Sequence, residues 1–244
     1  MNKKDLIREF FDISHSYMRD EYKKILSKFE AYNETHDDRD IRHLSLVAKA
    51  YILYDESHYN DELYEIVDPI FEYLTELDNW TVLDLKIYSM IIQIAETYEE
   101  AALLKEKAME EIKKFKPSEL PKKLIIGIHI NLLGKILEAY FFDLTYRQTS
   151  ELELLFKENF EVAYKIAKKN NYKDMLAYIL ISKGLLEDID ELINSGLNLS
   201  KEYSDKLYEY LEKYVERFKR WYYMKLYLKI NPLLWFSPEN DTEE

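Results

Sequence analysis

The sequence predicts an all-α protein built from stacked helical hairpins, that is, an α-solenoid of about ten helices. Only four glycines and five prolines interrupt its 244 residues, and no stretch alternates polar and apolar residues as a half-buried strand would. Apolar residues instead recur at helical spacing over segments of roughly 12–25 residues, which short loops separate. Hairpins of such helices stacked in sequence are typical of α-solenoids, whose concave faces bind extended partners.

Composition narrows the class of protein. The chain is 47% hydrophobic, ample for a sizeable core, and its 34 basic and 47 acidic residues give a net charge of −13. An acidic surface is unsuited to nonspecific nucleic acids or anionic membranes, so we expect neither as a direct partner. The chain has no cysteine, and its first residues lack the apolar run of a signal peptide. We therefore expect a cytoplasmic protein without disulfides or thiol chemistry.

Helical spacing and local start motifs define the predicted elements. Asp40 is placed to cap one helix, and Thr81 with Asp84 has the spacing of a capping box that opens another. Pro69 either kinks its helix or marks the true start. The predicted helices cover residues 5–32 (with a break near 14–16), 41–55, 60–74, 81–98, 99–115, 124–148, 150–169, 172–183, 186–194 and 200–229.

Stop motifs divide the second half of the chain. The segment 116–121, Lys-Pro-Ser-Glu-Leu-Pro, is the clearest break. Gly184 and Gly196 are predicted to end two short helices, as left-handed C-caps do. We expect a single helical-repeat domain over residues 1–236 and an acidic, disordered tail over residues 237–244.

The helix predicted over 124–148 is apolar on most sides, and its one polar stripe contains glycine. A transmembrane role is disfavoured because Lys135 and Glu138 near its middle would each cost roughly 2.5–3.5 kcal/mol to insert. Two interpretations of the stripe remain open. It lines a groove that a ligand enters, or Gly127 lets another helix pack close and Asn131 is a satisfied core amide.

A second polar stripe follows Trp80 on the helix predicted over 81–98. Isolated polar residues on otherwise apolar helices orient a ligand, while the aliphatic and aromatic residues beside them provide contact area. The two stripes together predict a peptide-binding groove lined by Lys86, Ser89, Gln93, Gly127, Asn131, Lys135 and Glu138. The alternative is that both stripes are merely the solvent faces of amphipathic helices.

Motifs of known catalytic and metal sites are weak or absent. The sequence has no glycine-rich phosphate loop, nucleophile elbow or His-Glu-x-x-His motif. The acidic segment 36–40 resembles a magnesium site, but it lies in a polar loop and is better explained as a solvated turn. Three Asp-x-x-His pairs have the spacing of helical metal ligands, although surface pairing and capping explain them more simply. These pairs are Asp12/His15, Asp40/His43 and Asp55/His58. We expect no enzyme activity, metal or cofactor.

The last predicted helix is basic and rich in aromatic residues within an otherwise acidic chain. Its apolar surface exceeds what a terminal helix covers on one side. It closes the end of the array, or forms an oligomer interface, where aromatics and arginine are enriched. The predicted interface of a homodimer comprises Arg217, Trp221, Tyr222, Met224 and Trp235.

Three segments resemble the C-terminal domain of Rgg/GadR/MutR-type transcriptional regulators. Residues 79–88, Asn-Trp-Thr-Val-Leu-Asp-Leu-Lys-Ile-Tyr, are similar to a motif at the start of a helix in that domain. The Ile-Asn-Leu at 130–132 resembles a later Leu-Asn-Leu segment, and residues 178–196 resemble the end of the domain. The resemblance implies a divergent tetratricopeptide-like superhelix, usually dimeric, that binds a short signalling peptide in its concave groove.

The same resemblance assigns roles to two residues and exposes one departure. It implies that Asn131 contacts the peptide backbone, and it places Ser89 where the family often has asparagine. The family begins with a helix-turn-helix domain, for which there is no room ahead of Asp5. The resemblance therefore implies a stand-alone peptide-sensing or partner-binding module rather than a direct promoter binder.

The sequence thus favours a non-catalytic module that binds a short peptide or protein segment. One alternative is a structural or oligomerisation protein acting through its aromatic last helix. Others are a transcription regulator that reaches DNA through a partner, and a helical metalloenzyme that uses the Asp-x-x-His pairs.

Overall fold

The computed structural model describes residues 2–13, 19–56, 61–142 and 150–230, and every regular element within these ranges is helical. The prediction of an all-α protein is therefore confirmed. Short 3-10 turns occupy Ile92–Ile94 and Pro117–Glu119. The eleven α-helices of these ranges are α1 (Lys3–Asp12), α2 (Arg19–Asn33), α3 (Arg39–Glu56), α4 (Asp61–Glu76), α5 (Val82–Ile91), α6 (Tyr98–Ile112), α7 (Leu124–Phe142), α8 (Ser150–Asn170), α9 (Lys173–Glu187), α10 (Asp190–Tyr203) and α11 (Asp205–Ile230).

The chain divides into two compact units, Met1–Lys135 and Ile136–Glu244, and α7 contributes residues to both. In the first unit, consecutive helices pack through aromatic side chains. The rings of Tyr22 on α2 and Tyr51 on α3 stack with centroids 5.1 Å apart. The Tyr88 hydroxyl on α5 donates to the Ala101 carbonyl on α6 over 2.8 Å. The single domain expected over residues 1–236 stays a prediction.

The start of α3 differs from its sequence-based assignment, whereas α4 begins at Asp61, within one residue of its predicted start. Asp38 caps α3, because its carboxylate accepts the backbone N–H groups of Asp40 at 3.0 Å and Ile41 at 3.3 Å. The prediction of Asp40 as the cap was wrong by two positions; Asp40 lies in the first turn and pairs with Lys3 at 2.7 Å. Helix α4 continues through Pro69, which therefore does not mark its start.

The capping box at the start of α5 is confirmed, but the helix is shorter than predicted. Thr81 Oγ1 accepts the N–H of Asp84, and the Asp84 carboxylate accepts the N–H of Thr81 at 2.8 Å. The α-helix ends at Ile91, not near residue 98, because the following isoleucines turn into the core and Thr97 caps a new helix. Gln93 therefore lies in a 3-10 turn rather than on the same helix as Lys86 and Ser89.

In the second unit, α9 and α10 pack closely against each other. A Cβ on Gly196 would lie 2.6 Å from the Ala177 carbonyl oxygen, and one on Gly184 would lie 2.7 Å from Ile193 Cγ1. The two glycines permit this close approach and lie inside their helices, so the prediction that they end helices was wrong. Asp188, with a left-handed φ of 55°, ends α9 instead.

Helix α7 is the most apolar helix of the described residues. Its window Leu124–Phe141 has a mean hydropathy of 1.4 and is long enough to cross a membrane, but 78% of it is buried within the protein. The core helix of a soluble protein passes the same test of length and composition. In the second unit, Phe141 at its C-terminal end packs against Phe218 of α11, with ring centroids 5.4 Å apart.

Candidate functional site

The two predicted polar stripes meet where α5 packs against the first part of α7. The side-chain amide of Asn131 donates a hydrogen bond to the backbone carbonyl of Ser89. A Cβ on Gly127 would lie 3.0 Å from Ser89 Oγ, so a glycine at this position lets the helices approach. Gly127 and Asn131 thus form part of a helix–helix contact. This arrangement agrees with the interpretation in which Gly127 lets another helix pack close and the Asn131 amide is satisfied.

Lys86 lies one helical turn before Ser89 and faces the C-terminal end of α1. Its ammonium group is 4.3 Å from the centroid of the Phe11 ring, and the side chain is half-buried. Burial lowers the pKa of Lys86 below its ordinary value, and the nearby carboxylate of Asp12 opposes this effect. The result is a cation on an aromatic face beside the half-buried residues Ser89 and Asn131.

The remaining predicted groove residues of the first unit are buried. Gln93 is 9% exposed and Lys135 is 5% exposed. Lys135 lies close enough to Glu100 to lower the pKa of that carboxyl group, although burial is the larger effect and raises the pKa overall. The positive charge of Lys135 therefore acts favourably on the Glu100 carboxylate within this unit.

Glu138, the last predicted groove residue, belongs to the second unit. It is 4% exposed, and its carboxylate is 3.7 Å from the guanidinium of Arg217 on α11. Arg217 also lies over the rings of Tyr214 and Phe218. The hydroxyl of Tyr178 donates to that of Tyr214 over 3.0 Å, and burial raises the pKa of both phenols. The structure therefore joins a residue predicted for the groove to one predicted for the oligomer interface.

The predicted oligomer interface separates into inward and outward parts. Arg217 points to Glu138, and Tyr222 packs against Phe141 with centroids 6.3 Å apart. Trp221 is 38% exposed, and its neighbour Tyr223, which the predicted interface omitted, is 66% exposed. Met224 and Trp235 fall outside the residues whose side chains the structure describes.

The Asp-x-x-His pairs do not converge in the described part of the chain. Asp40 pairs with Lys3, while His43 packs against the Tyr73 ring at 4.6 Å. His15 and His58, the histidines of the other two pairs, lie outside the described residues. Within the ranges that the structure describes, no group of three or more histidine, aspartate or glutamate side chains could hold a metal ion.

Sequence reasoning missed the contribution of α1 to this region. Phe11 and Asp12 approach Lys86 across 74 or more residues of chain, and no spacing rule connects positions so distant. It also missed the tertiary partner of the buried residue Asp84, which accepts from the Tyr73 hydroxyl as well as from its own capping box. An aspartate at the third position of a capping box was visible, but its tertiary partner was not.

No family model matches the chain, and neither the curated proteins nor the solved structures include a detectable relative. The resemblance to the Rgg/GadR/MutR regulators thus remains an expectation from short motifs.

Proposed function

We propose that this chain is a non-catalytic regulatory module that binds a short peptide or protein segment on the half-exposed face around Lys86, Ser89 and Asn131. The single observation that carries the proposal is the position of the Lys86 ammonium. It lies half-buried on the Phe11 ring, one turn from the contact between Ser89 and Asn131. A partly desolvated cation beside a serine and an amide suits an extended peptide, whose carbonyls accept hydrogen bonds at regular intervals.

A divergent tetratricopeptide-like array would place this face on the inside of successive hairpins. In such an array the first helices of consecutive hairpins run parallel. Contacts between α3 and α5 support that order, because His43 lies near Asp84 and Tyr51 donates to the carbonyl of Met90. The partner residues advance in the same direction along both helices.

Contacts of α5 with α6 and α7 extend the same order. Helices α5 and α6 are antiparallel. Tyr88, late in α5, donates to the carbonyl of Ala101 near the start of α6. Trp80, just before α5, donates its backbone N–H to Glu111 near the end of α6. Along α7, Asn131 bonds Ser89, and Lys135, one turn later, lowers the pKa of Glu100 in the first turn of α6, the helix that follows α5. Helix α7 therefore runs in the direction of α5, which supports the stacked-hairpin interpretation.

The proposal is tested by selecting random heptapeptides displayed on phage against the full chain and measuring the affinity of the enriched sequences by fluorescence anisotropy. We expect Lys86→Ala to weaken binding by about tenfold or more, since losing a charged hydrogen bond costs on the order of 1.5–3 kcal/mol. Lys122→Ala is the matched control, because Lys122 is exposed in the loop before α7. Equal affinity of both variants, or no enriched peptide, contradicts the proposal.

A second function is favoured by the outward aromatic residues of α11. Trp221 and Tyr223 are both exposed, and aromatic side chains are enriched where proteins self-associate. Sedimentation equilibrium tests this alternative. A dimer of the original chain that dissociates in the Trp221→Ala/Tyr223→Ala variant would favour an oligomerisation protein. If the original chain were monomeric at all concentrations, this alternative would be excluded.

A further inference from the structure

Helix α8 presents an exposed stripe whose character changes along its length. Leu154 and Val162 are 57% and 41% exposed, and basic residues follow on the same side of the helix at 3.6 residues per turn. An open depression of about 690 Å³ marks the second half of this stripe. It is lined by Glu161, Val162, Tyr164, Lys165, Lys168 and Lys169. Two exposed glutamates, Glu158 and Glu161, lie on this face between Leu154 and Val162, and the lysines follow them. The second half of the stripe is therefore predominantly basic, within a chain of net charge −13.

Contacts in the second unit fix the direction of α11 relative to α8. Helices α8 and α9 form an antiparallel hairpin, in which the Lys183 ammonium lies 4.7 Å from the Phe160 ring centroid. Helix α11 runs parallel to α9, because Tyr214 meets Tyr178 within α9, and Lys219, further along α11, pairs with Asp190, which begins α10 just after α9 ends. These directions place the C-terminal end of α11 at the same end of the α8–α9 hairpin as the N-terminal half of α8, where Leu154 lies.

The sequence after α11 has the complementary order of properties. An apolar group of four residues comes first, and four acidic residues follow within the next eight positions. These are Leu233, Leu234, Trp235 and Phe236, then Glu239, Asp241, Glu243 and Glu244. We propose that residues 231–244 dock along α8, with the apolar group on Leu154 and Val162 and the acidic residues on the lysines that follow.

Length and tethering are compatible with this docking. Leu154 and Lys169 are about 22 Å apart along the helix axis at 1.5 Å per residue. An extended chain covers up to about 3.3–3.6 Å per residue, so residues 233–244 span the stripe with length to spare. Because a short tether gives an effective concentration on the order of millimolar, weak contacts suffice to occupy the face. The docked segment would cover α8 against any other partner of similar chemistry.

Distance measurement between spin labels tests the docking in the full chain. The absence of native cysteine allows labels at only two introduced positions, Asn170→Cys at the end of α8 and Thr242→Cys. We expect a short and narrow distance distribution. Reversing three charges in the Lys165→Glu/Lys168→Glu/Lys169→Glu variant should lower the short-distance population by about tenfold, since each exposed pair contributes modestly but the three act together. Adding Glu239→Lys, Asp241→Lys and Glu243→Lys should restore it.

Three results would overturn the proposal. The first is a broad distribution in the chain with its native charges, and the second is a short distance that survives reversal of the α8 lysines. The third is loss of the short distance on dilution with unlabelled chain, which assigns the contact to a second copy. The matched control reverses Lys4, Lys113 and Lys122, which are equally exposed but lie in the first unit. This control should leave the distribution unchanged, and circular dichroism verifies that each variant remains helical.

Discussion

The side-chain amide of Asn131 donates to the backbone carbonyl of Ser89, which joins α7 to α5 within the first unit. The carbonyl lies near the end of α5, where the last carbonyls of a helix have no partner in the helix itself. Asn131 therefore supports the packing of these helices in addition to any contact with a ligand. A binding defect in an Asn131 variant must be separated from a defect in stability, which is why Lys86 is the better probe of the proposed peptide face.

We predict that Asn131→Ala lowers the free energy of unfolding by about 1 kcal/mol, the usual net value of one intramolecular hydrogen bond. Urea denaturation followed by circular dichroism measures the change. Asn198→Ala on the exposed face of α10 is the control and should change stability by less than about 0.5 kcal/mol. Identical unfolding midpoints for the two variants would show that the contact with Ser89 contributes nothing to stability.

We predict that Gly196→Ala destabilises the protein by about 2 kcal/mol or more. The new Cβ would lie 2.6 Å from the Ala177 carbonyl oxygen, which belongs to a helical backbone and cannot rotate away. This clash outweighs the gain of about 1 kcal/mol in helix propensity.

Gly127→Ala is the matched control for the Gly196 variant. Its Cβ would meet only the hydroxyl of Ser89, a side-chain atom that can move, so the gain in helix propensity offsets the contact. We expect its stability to lie within about 1 kcal/mol of the original chain. If the two variants unfolded at the same urea concentration, the close packing of α9 on α10 would not be the reason for Gly196.

The sequence predicted the helical class and the capping box because both depend on short-range spacing, as Thr81 and Asp84 illustrate. The sequence-based prediction failed where the same residue type serves two structural roles, as glycine does at a helix C-cap and at a close contact between helices. Gly184 and Gly196 have the composition of C-caps, but tertiary packing against Ile193 and Ala177 determines their role. The pairing of Glu138 with Arg217 was equally invisible, because it depends on how distant helices pack rather than on the spacing of residues within one helix.

Glu111 provides a prediction for pH. Its carboxylate accepts from the Trp80 N–H at 3.2 Å and from the Lys114 ammonium at 2.6 Å. Burial raises the pKa of Glu111, but the two hydrogen bonds together lower it by more than burial raises it. The folded-state pKa therefore lies below the ordinary value of 4.5. A depressed pKa stabilises the folded state above the unfolded-state value, and this contribution is lost as the pH falls through the folded-state pKa.

We therefore expect Glu111→Gln to be less stable than the original chain at pH 7 and to approach it in stability below about pH 4. Urea denaturation at a series of pH values measures the difference. Glu110→Gln, at the exposed neighbouring position, controls for the loss of one negative charge. A difference between Glu111→Gln and the original chain that stays constant from pH 7 to pH 3 would contradict the assignment.

The Glu138–Arg217 pair yields a prediction about coupling rather than about either residue alone. Both side chains are largely removed from water, at 5% and 21% exposure, so removing one partner leaves the other charge without its compensation. We expect Glu138→Gln and Arg217→Met each to cost about 2 kcal/mol or more, and the double variant to cost less than the sum. A double-mutant cycle by urea denaturation measures this coupling. Strict additivity would show that the 3.7 Å approach of the two side chains carries no net interaction.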